Sequence, residues 1–195
     1  MASEANTSPG NALYPDVPPM RPPHMEFVYR LVAEMHPTNH YEIENLQGTG
    51  VTRSVGHIAR GTVRGPKING IVVENSGADW AQRIHSKKIF YKLFARYTLL
   101  TDDGHHILVD AQGVFRPGPG VDFDYDAGTK TRFLQDDVEY FTHITFEAAG
   151  DSPYNWMNGI VAVGVLESVD DAAIIDCWRL TNFPGKEVED VYVGR

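Results

Sequence analysis

A carboxylate beside an indole is the first place in this chain where chemistry is possible: Gly77-Ala78-Asp79-Trp80 sets both at the entry to an apolar run. Arg96 and Tyr97 fall in the middle of a second such run, and Tyr140, Phe141, His143 and Phe146 in a third. Tyr154, Trp156 and Asn158 follow within a short stretch opened by Ser152-Pro153. Aromatic walls with a few convergent polar groups are the usual form of a small-molecule pocket. Plain core packing explains most aromatic residues in strands, and Trp80 is suited to plugging a barrel end. Asp79 and Arg96 carry more information, because a charge turned inward requires a partner or a function. An Asp79–Arg96 pair satisfies that requirement. His143, mid-strand in YFTHITF, points either into the interior or into a flanking layer, and as a buried ring it would find a hydrogen-bond partner.

Several standard sites are absent from the sequence: no G-x-S-x-G, no phosphate-binding glycine loop, no H-E-x-x-H and no cysteine pair for zinc. Asp122, Asp124 and Asp126 alternate like the first half of a calcium loop, but position six is Ala127 and position twelve is Phe133 where glutamate is needed. His105 and His106 are adjacent and so point to opposite faces of a strand, while His24, His36 and His40 sit in or near turns, where exposure to solvent is the plain reading. No metal and no cofactor are expected. A formal charge of -9 opposes a phosphate backbone, so nucleic acid is excluded as a partner. The longest apolar run, Ile160 to Leu166, is far short of the roughly 18 residues of a membrane helix. The first 23 residues lack the basic and apolar regions of a signal peptide, and the single Cys177 allows no internal disulfide, so a reducing cytoplasm is the expected compartment.

The elements that must position these residues read as strands. Apolar runs of strand length cover about 26–34, 50–63, 67–74, 80–84, 88–101, 105–115, 138–148, 159–168 and 172–180, punctuated by turn residues. Asp102-Asp103-Gly104 between two long runs is the strongest hairpin signal. Only Ser152–Asn158 reads as a helical turn, with Ser152 as its cap. The expected fold is all-β: a closed or nearly closed antiparallel barrel of about eight to ten strands, preferred over a sandwich because the chain has few edge-protecting lysines. A Pro-rich flexible arm (1–24), the barrel (25–181) and a tail (182–195) form the expected organisation.

Three blocks in order, GTVRGPKINGIVVENSGADW, ARYTLLTDDGHHILVDAQGV and the Tyr140–Asn158 stretch with YF, FE, GD and Y-x-W-x-N, resemble the family called domain of unknown function 3237. The resemblance runs from about Met25 to Thr181. The Pro-rich arm, the tail and the loop from Pro117 to Asp137 depart from it. It implies a β-barrel similar to those of allene oxide cyclases and dirigent proteins, which hold an apolar small molecule in the lumen and steer a cyclisation or isomerisation without a cofactor. It also implies a homodimer or homotrimer, a state in which the Pro-rich arm could reach a neighbouring subunit.

The function expected from these features is a cofactor-independent isomerase or cyclase for an aromatic or polyketide-like secondary metabolite. Asp79 serves as general acid or base, Arg96 or Tyr97 stabilises developing negative charge, and His143 assists proton transfer. Trp80, Tyr140, Phe146 and Trp156 form walls, with Tyr97 also on the substrate and Asn158 orienting it. The alternatives are a non-catalytic carrier of a hydrophobic metabolite and an oligomerisation module whose aromatic residues are packing only.

Overall fold

The computed structural model describes residues 17–84, 90–121, 132–170 and 172–188; the acidic loop Asp122–Asp126 lies outside them. Ten strands follow in order: β1 (His24–Ile43), β2 (Val51–Arg64), β3 (Asn69–Val72), β4 (Gly77–Ile84), β5 (Phe90–Thr101), β6 (His106–Pro117), β7 (Arg132–Phe133), β8 (Val138–Ala148), β9 (Ala162–Val169) and β10 (Ala172–Thr181). Every pairing is antiparallel, and the pairings run β1-β2-β4-β5-β6-β8-β9-β10 and back to β1. The sheet therefore closes into a barrel-like ring, as the strand-rich sequence led one to expect. β3 and β4 share one place in it: β4 pairs the first half of β2 (Val51–Ile58), and β3 the second half (Gly61–Arg64).

Closure gives the strands an inner and an outer face, and period-two alternation sorts the side chains between them. On β5 the inner set is Tyr91, Leu93, Ala95, Tyr97 and Leu99; on β6 it includes Ile107, Val109, Ala111 and Phe115, which register against them. Asp102-Asp103-Gly104 forms the hairpin between these strands. Gly104 takes φ 91°, a left-handed conformation that glycine adopts without a Cβ clash, and Thr101 N–H donates to His105 O at 2.9 Å.

One half of the lumen is solid. Leu31, Val63, Val72, Leu99, Ile107 and Ile144 are fully buried there. Each such side chain contributes roughly 1.5–3 kcal/mol by leaving water. A 3-10 turn, Asn155–Gly159, caps this end with Met157 in the core, while the preceding Tyr154 donates its hydroxyl to Asp103 Oδ1 at 2.8 Å. The expected helical turn is thus present but shorter. Ser152 stands before it, donating to Ala149 O and accepting from Tyr154 N–H. A second, unexpected 3-10 turn, Leu46–Gly48, links β1 to β2.

The largest departure from the sequence reading is β1, which runs nine residues past Glu34 to Ile43. Between Met35↔Ile58 and His40↔Gly56 the chain advances five residues on β1 but two on β2, so three surplus residues bulge from the ladder. Pro37 sits in that bulge, where its missing N–H breaks no ladder bond, and His36 Nδ1 accepts the N–H groups of Thr38 and Asn39 at 3.3 and 3.0 Å.

Candidate functional site

The other half of the lumen is hollow. A cavity of about 490 Å³ opens at the end opposite the 3-10 cap. Tyr91, Phe115, Phe133 and Tyr140 supply aromatic walls, with Leu93 and Leu166 between them, and the β1 bulge brings Met35, His36, Pro37 and His40 to the mouth. Ser54, Gly56, Asp79 and Ala81 form one side, on β2 and β4. The Phe115 ring meets Tyr91 and Phe133 edge-to-face at 5.9 and 6.3 Å, so the aromatic wall is itself packed rather than loose.

Asp79 lies in this wall. It registers with Gly56 on one neighbouring strand and Ala95 on the other, two residues too small to cover its carboxylate. Oδ1 accepts the Phe94 N–H at 3.2 Å, and no other hydrogen bond among the described residues reaches the carboxylate. Loss of water around it pushes its pKa up to about 6, against smaller opposing effects of the Phe94 N–H and the Arg53 guanidinium. Arg53 is held elsewhere, donating to the Trp80 carbonyl and lying 5.6 Å over the Phe94 ring. Tyr140 faces the same space; burial, then the nearby Asp79 charge, holds its phenol well above the ordinary tyrosine range.

Below the cavity the polar groups continue into the core. Tyr97, Tyr29 and Cys177 interact with one another there, and burial raises all three, Cys177 to about 12. The Tyr29 oxygen meets no partner at full hydrogen-bond geometry. Phe146 packs edge-to-face on Tyr29 at 6.1 Å, in the solid half.

Of the nine residues singled out in the sequence, the structure brings Asp79 and Tyr140 to the cavity. Tyr97 and Phe146 are buried in the core of the filled half and do not line the cavity as expected. The other five lie elsewhere again. Arg96 stands on the outer wall, its side chain 60% exposed, bound to Asp110 through Nη2 at 2.6 Å and Nε at 2.9 Å. It registers with Ala78, one residue off Asp79, and that single step reverses the face, so the expected Asp79–Arg96 pair does not form. His143 is exposed, between Gln112 and Val163 on the outer wall, where it can assist no proton transfer in the lumen. Trp80 also faces outward and is 37% exposed. Trp156 packs at the capped end. Asn158 is a clamp there, accepting from Ala148 N–H at 2.8 Å and donating to Ala148 O at 3.0 Å.

His36, His40 and Ser54 border the cavity; the sequence reading placed the two histidines in or near turns, outside any site, and did not single out Ser54. Pro37 and Asn39 look like strand terminators, so β1 was expected to stop before them. A signal was available in the Val-Thr-Arg-Ser-Val-Gly-His-Ile run of β2, whose Ser54 and Gly56 alternate in step with Thr52.

The model of the protein family of unknown function DUF3237 matches residues 23–180. The chain belongs to this family. Solved structures agree with the fold of this DUF3237 barrel. A β-barrel-like protein from Acinetobacter baumannii is 25% identical, with 83% of this chain and 99% of that one covered at a TM-score of 0.66. A protein of unknown function from Clostridium acetobutylicum is 22% identical over 81% and 99%, at 0.64. An enzyme from Penicillium herquei shares the fold at 18% identity over 83% and 96%, at 0.57. No curated protein matches the chain. Among the described residues no helix is long and apolar enough to cross a membrane.

Proposed function

We propose that this barrel is an isomerase or cyclase that binds an aromatic or polyketide-like small molecule in its open half and moves a proton with Asp79 as general base. One observation carries the reading: a carboxylate lies in an aromatic-walled cavity, has one hydrogen bond, and ionises near 6. A base of that strength is mostly ionised at neutral pH yet holds a proton better than an ordinary aspartate, which suits it to taking a proton and returning it. The cavity orients the ligand, and orientation itself lowers a barrier by several kcal/mol. The enzyme from Penicillium herquei lends support at the level of fold alone.

The test uses 5-nitrobenzisoxazole, an aromatic probe that ring-opens when a base removes one carbon-bound proton. The wild-type protein is expected to open it with a rate that rises with pH through about 6 and levels off above, because Asp79 acts in its ionised form. Asp79→Asn, shown by circular dichroism to be folded, should lose about 10²–10⁴-fold. Equal rates for the two proteins would leave a carrier instead, recognised by its solubilising hydrophobic metabolites without changing their product ratio.

A further inference from the structure

Asp79 is not the only polar group on the inner face of the open half. His40, Gly56 and Asp79 occupy one row across β1, β2 and β4: His40 registers with Gly56, and Gly56 with Asp79. Ser54 is two residues along β2 from Gly56, and so is the diagonal neighbour of Asp79, a placement in which residues stand roughly 7–8 Å apart with their Cβ atoms somewhat closer. His40 Nε2 and Ser54 Oγ are 2.9 Å apart, and all four residues border the cavity. Gly56 keeps the row low between them, with the Met35 methyl lying over it: a Cβ built there would come within 3.0 Å of that methyl and 3.8 Å of His40 Cδ2.

We propose that Ser54, oriented by His40, is the hydrogen-bond donor that faces Asp79 across Gly56 and holds the carbonyl oxygen of an enolisable ligand. This deepens the acid–base reading of the same site and rests on it. When His40 Nε2–H donates to the Ser54 oxygen, the serine proton is left to point at the ligand. Asp79 removes a proton from the carbon next to the carbonyl; the C–H electron pair forms the enolate C=C bond, and the carbonyl π pair moves to oxygen. Ser54 O–H donates to that oxygen. The proton on Asp79 then returns to the same carbon or to a conjugated one, so no oxidant, metal or co-reactant is consumed. Ser54 touches the ligand, whereas His40 is a positioning residue. The diagonal placement sets donor and base apart on one face, as a carbonyl oxygen and its neighbouring carbon require.

Two probes separate donor from base. Ring-opening of 5-nitrobenzisoxazole reads the base; exchange of deuterium next to the carbonyl of 2-tetralone, followed by NMR, needs a donor on oxygen as well. Ser54→Ala and His40→Phe should slow exchange at least tenfold more than they slow ring-opening. His40→Gln, which keeps an N–H donor, should recover much of the exchange. His143→Phe on the outer wall should alter neither reaction. Loss of both reactions in Asp79→Asn, with exchange in Ser54→Ala and His40→Phe slowed no more than ring-opening, overturns the donor and leaves the base intact. Wild-type exchange no faster than buffer overturns the donor even if ring-opening persists, and failure of both reactions overturns the base too. A Ser54 acetylated by p-nitrophenyl acetate would make the serine a nucleophile and likewise overturn its role as donor.

Discussion

The two halves of the lumen are lined by the same strands, yet one is filled and the other open. Toward the 3-10 cap the inward residues include the large aliphatic Leu31, Val63, Leu99, Ile107 and Ile144, which pack with the rings of Tyr29, Tyr97 and Phe146 and leave no space. Toward the mouth they alternate between small and aromatic, with Gly56 and Ala81 facing Tyr91, Phe115 and Tyr140. Small residues on one wall and rings on the other cannot interdigitate to close the space. Volume, rather than polarity, makes the cavity, and Asp79 then keeps its charge within a wall that gives it little water. The filled half holds the geometry that the open half uses.

That contrast can be broken most sharply by cutting the same side chain in each half. Leu99→Ala removes volume from a site with no exposure and should cost about 2–5 kcal/mol in urea unfolding. Leu93→Ala, six residues away on the same face of β5 but bordering the cavity, merges its lost volume with space already present. Its cost should fall below that of Leu99→Ala by about 1 kcal/mol or more; equal costs would mean the open half is packed as tightly as the filled one.

Asp79 should show the opposite sign. Its carboxyl ionises near 6 in the fold and near 3.8 in the ordinary state, so the folded chain holds the proton more tightly. The stabilisation is complete below pH 3.8 and is lost as pH rises through 6. At neutral pH the charged group therefore weighs against folding, by at most about 3 kcal/mol at ~1.4 kcal/mol per pH unit. Asp79→Asn should raise stability by about 1–3 kcal/mol at pH 7.5, with the gain vanishing below pH 4, as read by thermal unfolding at both values. A residue whose removal stabilises the fold and abolishes turnover is one kept for function.

The smallest effect belongs to the outer wall. Arg96→Ala breaks only an exposed ion pair with Asp110 and should cost about 0–1 kcal/mol, leaving probe turnover at the wild-type rate. A large loss of activity would return Arg96 to the site.

The sequence made the strands legible more readily than their faces. β8 was read at its true limits, 138–148, because apolar residues alternate along it with Glu139, Thr145 and Glu147. The same alternation assigns His143 to the face of those glutamates, which is where it stands. Arg96 was harder to place: both faces of β5 are apolar, with Phe90, Phe94 and Leu100 on the outside, so hydrophobicity gives no parity. The hairpin could have settled it, since counting out from Asp103 pairs Arg96 with Asp110. Asp79 was recognisable as an isolated carboxylate at the start of an apolar strand. His40 and Ser54 were not, because their pairing depends on a bulge whose length only the tertiary ladder fixes.

That bulge has a consequence for how the rim of this barrel can be altered. The ladder between β1 and β2 resumes in step on both sides of the surplus residues. Lengthening or shortening the segment around Pro37 therefore reshapes the rim without disturbing any strand that holds Asp79. The shape of the rim and the closure of the barrel thus rest on separate stretches of the chain.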